Sequence, residues 1–412
     1  MPVSRSHAPP RTGTLVRMSV TVKAADAAQF LSLVPRLLGF TPTQSVVLVP
    51  MARGRSLGAM RVDLPPESAP GQSPDDVDDG TPAEIVDTVA SSAIGMICRI
   101  DDADAVLVVV YTDAPFAGGP DRAIAGAHVV GALMRQADAC GLRVVDALTV
   151  AGDGWGSHLE HTVPAGGHPL DLLRVRGTAA TALADAGLDG SPPGDQVSGA
   201  ALPRVPKAAR KAVAEALRSL AASLEVICGI PSTSRTAPRI DPAALEAACA
   251  LDDLPSTFEE ALGWNVPAAP MRAAMLAWCL ARPSLRDIAL VQWATDIEGG
   301  DIAMEAQRLW EDGAEYPADL ASVMWGEGPR PDALRLEAAL DLAREVAALA
   351  PRTHKPGPLA VCAWLSWALG RSTHADRYAT MALSFDDEHG LAEIVRSFVH
   401  AGHLPDWAFR LR

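Results

Sequence analysis

Lysine is scarce in this chain: four residues, at 23, 207, 211 and 355, in a total of 412. So few leave little scope for Schiff-base chemistry or for a lysine that grips a phosphate. Cysteine offers no framework either. The six, at 98, 140, 228, 249, 279 and 362, never form Cys-x-x-Cys, which argues against a disulfide scaffold or a zinc knuckle. Lying singly in apolar segments, they are expected to behave as small buried hydrophobes. No apolar run approaches the ~20 residues that span a bilayer, since "AIGMICRI" is stopped by Arg99. The opening "MPVSRSHAPPRTG" lacks the apolar stretch of a signal peptide, so cytoplasmic residence without membrane association is expected. Positive charge is also in deficit: 50 acidic against 35 basic residues give a formal −15. A duplex-binding protein needs cationic surface to displace counterions, which disfavours nucleic acid as a partner. The short basic stretch 203–212 reads as a solvated helix start. Absent too are Gly-x4-Gly-Lys-Ser/Thr, Gly-x-Ser-x-Gly and His-Glu-x-x-His, and Gly152-Asp153-Gly154 lacks the third glycine of a dinucleotide fingerprint. No cofactor follows from these residues.

What is present is globular, with 49% hydrophobic and 21% charged residues, and long enough for two domains. "TLVRMSVTV" (14–22) alternates as a strand does, and 24–40 places Phe30, Leu33, Val34, Leu37 and Leu38 on one helical face. "SVVLVPM" (45–51) reads as a buried strand that pairs with 56–64 through "ARGR". The proline- and acid-rich 65–82 reads as a mobile loop. Helix 83–100, strand 104–112, helix 121–140 and strand 142–151 follow, then a hairpin return over 152–163. Helices alternating with strands indicate crossovers and a largely parallel sheet. The expected order is a disordered 1–10, an α/β domain over 11–180 and a linker over 181–206. An all-helical domain then fills 207–412, where strand signals vanish. Within it, 358–390 resembles a tetratricopeptide-type hairpin: helix, Leu369-Gly370, then a second helix carrying Ala375, Ala379 and Ala382. Generic helix pairing fits the same residues, and neighbours such as 331–350 and 391–403 must cover it.

The stretch "LLGFTPTQSVVLVPM" (37–51) raises the question of a phosphate loop. Gly39 suits a left-handed helix cap, and Pro42 forbids continuation, so the loop has a structural explanation. In a parallel sheet it would also lie at the amino edge, whereas ligands bind beyond the carboxyl edge. A corner is the expected role. Together with "VLVVVYTDAP", "ALTVAGDGWGSHL" and "AWLSWALGRSTHADRYATMAL", this passage resembles the actinobacterial domain-of-unknown-function family 4192. The resemblance implies cytoplasmic residence in a high-GC bacterium and carries no established activity or catalytic residue.

The best candidate site is "YTDAPFAGGPDRA" (111–123), which leaves the most apolar strand and ends at a helix start. Tyr111, Thr112, Asp113, Gly118 and Gly119 are its candidate ligand-binding residues, with Asp153 and Trp155 from the adjoining hairpin. Glycines there free backbone N–H groups near a helix N-terminus. Asp113 either holds a cation, polarises water or bonds a hydroxyl, or simply caps a turn with Thr112. His158, His161 and His168 lie near Glu160, but alternation on a strand points the first two apart and no metal set is expected. Trp155 reads as core or as a lid. Eight of the nine tryptophans fall at 264 and beyond. Most read as core, while Trp325, in a Gly/Pro-rich loop, suits partner binding. Two functions are consistent with this: a non-catalytic interaction or ligand-sensing protein with a protein partner, or a hydrolase or transferase using Asp113.

Overall fold

The computed structural model describes residue 24 and residues 26–65, 82–117, 123–175, 180–181, 194–195, 198–229 and 241–410. The expected strand at 14–22, the terminus 1–10, loop residues 66–81, most of 182–197, and Gly118 and Gly119 lie outside them.

The first described helix, α1 (Ala27–Leu38), is begun by Asp26, whose carboxylate accepts the Gln29 N–H at 2.7 Å. It is ended by Gly39, at φ 79°. Its inner face carries Leu31, Val34 and Leu38. Strand β1 (Ser45–Ala52) turns through Arg53 and Gly54, both at positive φ, into β2 (Arg55–Ser56). That two-residue turn matches the natural twist of a hairpin. Strand β3 (Met60–Asp63), helix α2 (Pro82–Cys98), strand β4 (Ala105–Tyr111), helix α3 (Ala127–Ala139), strand β5 (Arg143–Val150) and strand β6 (Trp155–Ser157) complete the α/β half.

The sheet is mixed rather than largely parallel. Its order is β2-β1-β4-β5-β6, with β3 also on β1, and β4–β5 is the parallel pair. β1 runs antiparallel to β2, β3 and β4. The expectation erred because α2 does cross between two parallel strands, β3 and β4, but β1 lies between them. Hairpins placed it there, and helix–strand alternation does not report them. Both faces of the sheet are covered. Val46, Leu48, Val106, Val108 and Val110 pack under α2 and α3, while Val47, Val49, Leu107, Val109 and Tyr111 pack under α1. Double coverage explains why β4 is apolar without alternation.

From Lys207 the described residues are helical, so the α/β plus all-α division stands. Asp241, Asp253, Asp296 and Asp332 each cap a helix with a side-chain bond to a backbone N–H. The helices Pro356–Ala368 and Ser372–Leu383 pack closely across Gly370, with Ala375, Ala379 and Ala382 fully buried. Helices Ala333–Leu349 and Gly390–His400 cover this pair, as its apolar faces require. Trp364, Trp367 and Trp407 form its aromatic centre and donate to the carbonyls of Met324, His403 and Ala368 at 2.8–3.0 Å.

The halves meet along a seam. Phe40 lies 5.2 Å from the His374 ring, and Arg99 stacks on Phe409. The Asp101 N–H donates to the Phe409 carbonyl. The stretch expected as linker is engaged where it is described: Thr41 N–H donates to Gly194, and Ala200 is buried in the helical core. Two expectations about side chains need correcting. Cys98, Cys140, Cys228 and Cys249 are exposed, because they fall in or just after final helical turns, and only Cys279 and Cys362 are core. Trp310 is also exposed rather than buried. Among the described residues, no helix is long and apolar enough to cross a membrane.

Candidate functional site

Because β1 runs antiparallel to β4, its beginning lies beside the ends of β4 and β5: Ser45 pairs with Tyr111, and Tyr111 with Val150. The loop 41–44 therefore stands at the carboxyl edge of the parallel pair, not at the amino edge expected from a parallel sheet. Three chain segments meet there, at the place where open α/β sheets bind ligands. The loop is fixed by the Gln44 side chain, which accepts the Asp113 N–H at 3.3 Å, while the Gln44 carbonyl accepts from Leu64. Thr112 N–H donates to Val150, and Gly152 N–H to Ala114, tying the second and third segments together.

Between them and α1 opens a cleft of about 570 Å³, within the range of small-molecule sites. Leu31, Pro35, Leu173 and Val175 give it apolar walls, to which Ser32, Thr41, Thr43 and Thr112 add hydroxyl-bearing residues, and Tyr111 also lines it. Arg36 and Arg174 supply its cations and Asp113 its carboxylate. Pro35 also has no N–H, which leaves the Leu31 carbonyl without its usual helical donor.

Tyr111 is the feature that stands out. It is 8% exposed, and its hydroxyl is buried without a hydrogen-bond partner. Burial holds the phenol well above its ordinary ionisation range, so it stays an O–H donor. Leaving such a group unpaired costs about 1–3 kcal/mol. Thr112 closes a turn by accepting the Ala114 N–H at 3.2 Å, the capping role weighed for it. Asp113 is exposed at the cleft.

The hairpin residues lie elsewhere. Asp153 accepts the Phe116 N–H at 2.7 Å and so pins the loop after β4. Trp155, the first residue of β6, is buried, bonded through its indole to the Pro169 carbonyl, with its ring tilted against His168 at 4.8 Å. Neither lines the cleft. The histidines are dispersed. His158 bonds Thr149 at 2.9 Å, and burial takes it down to about 4; since the Thr149 hydroxyl donates to Ala125, His158 Nε2 is the donor in their bond. His168 pairs with Glu160, and His161 faces solvent. Among the described residues, no three His, Cys, Asp or Glu side chains gather as a metal set would require.

Ser32, Arg36, the Thr41–Thr43 segment and Arg174 were missed by reading the sequence. Ser32 and Arg36, four apart on α1, share a helical face and could have been found had the direction of β1 been known. In the helical half, Trp325 is 52% exposed and its ring leans on Phe398 at 5.3 Å.

No curated protein and no solved structure matches the chain. The model of one family, described as a domain of unknown function (DUF4192), matches residues 28–315. That span takes in the sheet, the cleft and the helices through Glu311, and it stops short of the 358–390 hairpin. By its α/β half and the first helices beyond it, the chain belongs to the domain of unknown function family DUF4192.

Proposed function

We propose that this is a non-catalytic ligand-sensing protein whose ligand is a small molecule held in the cleft between α1 and the ends of β4 and β5. The observation that carries this is a cleft of about 570 Å³ lined in part by Tyr111, a residue whose buried hydroxyl has no partner. Such a group costs stability in the free protein and is repaid by a ligand acceptor. The alternative, a hydrolase or transferase built on Asp113, has less support. Asp113 is the acidic residue among the described lining, which includes no histidine, cysteine or lysine. General acid–base work calls for a second titratable partner within hydrogen-bond reach.

A thermal-shift screen of polar metabolites against the full chain tests the proposal. A ligand present at a hundred times its Kd stabilises the fold by about 2.7 kcal/mol. Thr43→Trp, at an exposed lining position, should abolish that shift by filling the cleft. A screen with no Thr43→Trp-sensitive hit would reject the reading.

A second reading, recruitment of a protein partner, is favoured by Trp325, with the exposed Ile394 one turn from Phe398 on the adjacent helix. Exposed aromatics beside apolar neighbours are frequent interface anchors. A partner retained by Thr43→Trp and lost with Trp325→Ala would support it. Retention by both variants would count against it.

A further inference from the structure

We infer that the helix Ile297–Glu311 docks a basic amphipathic helix of a partner protein, along a row formed by Glu298, Ile302, Glu305, Leu309 and Asp312. The inference rests neither on the cleft nor on Trp325.

This helix is amphipathic in the reverse sense. Its buried residues are Gly300, Ala303 and Ala306, whereas Ile302, Leu309 and Trp310 are 52%, 49% and 54% exposed. Small residues inward give a close approach: a Cβ on Gly300 would come within 2.2 Å of the Gln292 side-chain oxygen. Packing against the helices Pro283–Ala294 and Leu254–Ala261 therefore uses the small face, and large apolar side chains are left on the other. A solvated helical surface is served better by glutamate, glutamine or lysine, and β-branched isoleucine is a poorer helix former. Neither folding nor solubility accounts for Ile302. Trp310 is bare as well. Arg272 and Arg282 cover Trp264 and Trp278, and Trp325 leans on Phe398, but no ring or cation lies over Trp310 among the described residues. Contiguous exposed apolar surface of this kind marks an interaction site.

Spacing gives the row its form. Residues 298, 302, 305, 309 and 312 follow one another by four, three, four and three, the spacing that holds one line on a helix and faces a partner in a coiled coil. Apolar side chains at 302 and 309 alternate along it with carboxylates at 298, 305 and 312. A helix laid on the row sets its own apolar residues against Ile302 and Leu309. Its lysines or arginines then meet Glu298, Glu305 and Asp312. Trp310, about 100° further round the helix, lies on the flank.

Charge decides the occupant. From 297 to 315 there are six carboxylates and one cation, Arg308, which pairs with Glu305 at 3.6 Å. Glu298, Asp301 and Asp312 have no ion pair among the described residues. A second copy of this helix would bring the same carboxylates against one another, and like charges across a helix pair oppose association. An anionic lipid surface is repelled for the same reason. A basic helix is the occupant that satisfies both the apolar and the acidic positions.

The test uses the full chain and three synthetic helical peptides, followed by fluorescence anisotropy. The first carries leucine and lysine alternately at its seam positions; the second has glutamate for lysine; the third has the composition of the first in scrambled order. The first should bind at least tenfold tighter than either of the others. Ile302→Gln with Leu309→Gln should weaken it at least tenfold. Glu298→Lys with Glu305→Lys should reverse the preference, so that the glutamate peptide binds instead. Glu225→Lys with Glu246→Lys, at exposed positions on two other helices, makes the same change in net charge and should leave binding unaltered. Equal binding of the first and scrambled peptides, or equal effects of the two lysine pairs, would reduce the attraction to net charge and overturn the inference. Binding of no peptide would overturn it too. Sedimentation of the chain alone tests the competing occupant: a dimer dispersed by Ile302→Gln with Leu309→Gln would assign the row to a second copy. Circular dichroism shows that each variant keeps its fold, and the glutamine pair and the Glu298/Glu305 lysine pair each test the row independently.

Discussion

Tyr111 ends the most apolar strand of the chain, and its position there sets two opposed demands. Its ring belongs to the core beneath α1, packed with Leu31, Val34 and Phe40. Its hydroxyl is carried into the same dry surroundings without a partner. Removing only the oxygen separates these demands. Tyr111→Phe keeps the ring and relieves the unpaired donor, so the free protein should gain about 1 kcal/mol, since an unpaired buried polar group costs roughly that or more. The same change should weaken the cleft's ligand by a comparable amount. Urea unfolding and a titration of the best ligand measure the two effects, and a variant that loses both stability and affinity would show that the hydroxyl is paired in solution. The tripeptide Tyr111-Thr112-Asp113 could be picked from the sequence because it follows an uninterrupted apolar run. That pattern marks a strand buried on both faces, and such strands end where sites form. Arg36 and Arg174 gave no such signal: nothing in an arginine's neighbours along the chain distinguishes a cleft cation from a solvated one.

Helix and strand positions were readable from periodicity, and strand direction was not. Both helical crossovers, β3 to β4 and β4 to β5, were correctly signalled by the helices between them. What escaped was β1, placed between β3 and β4 by the hairpin turns at Arg53-Gly54 and beyond. One strand's direction moved a whole loop from the amino edge of the sheet to the carboxyl edge, and turned a corner into one side of a cleft. In the helical half, the contacts between elements likewise depend on positions whose meaning the sequence conceals. Gly357 opens the helix Pro356–Ala368, and a Cβ there would come within 2.1 Å of the Leu280 carbonyl oxygen. Gly95, exposed in α2, would place a Cβ in open space. Both are helical glycines, yet substitution by alanine should have opposite effects. Gly357→Ala must push two packed helices apart and should cost about 3 kcal/mol, the upper end for overpacking. Gly95→Ala should stabilise by about 0.5–1 kcal/mol, because alanine is the better helix former. Chemical denaturation of the two variants decides the matter. Equal costs would mean that the helix crossing at Gly357 relaxes freely.

At the scale of the molecule, the two halves share a seam whose central contact involves a titratable group. The His374 ring packs on Phe40 from the α/β half, and a Cβ on Gly199 would come within 2.8 Å of its Nε2, an atom buried without a partner. Burial, with the positive charges of Arg371 and Arg344 nearby, lowers this imidazole to about 4. In the unfolded chain a histidine takes up its proton near pH 6.5. Between these values the unfolded state binds the proton and the folded state does not, so stability is complete above pH ~6.5 and falls as pH drops towards about 4. The loss attributable to His374 is about 2 kcal/mol at pH 5, rising to about 3 kcal/mol below pH 4. His158, lowered to about 4 by its own burial, adds a loss of the same sign within the α/β half. The two are separable by substitution. His374→Gln removes the titration at the seam, so its unfolding free energy should fall by about 2 kcal/mol less than wild type between pH 7.5 and pH 5. Its starting stability at pH 7.5 is a separate quantity, set by how glutamine packs against Phe40. Urea melts of both proteins at the two pH values give four free energies, and the prediction concerns only the difference of differences. Identical pH dependence in wild type and His374→Gln would show that the seam opens to water before the histidine protonates, and would leave acid sensitivity to the other histidines lowered by burial, His158, His354 and His389.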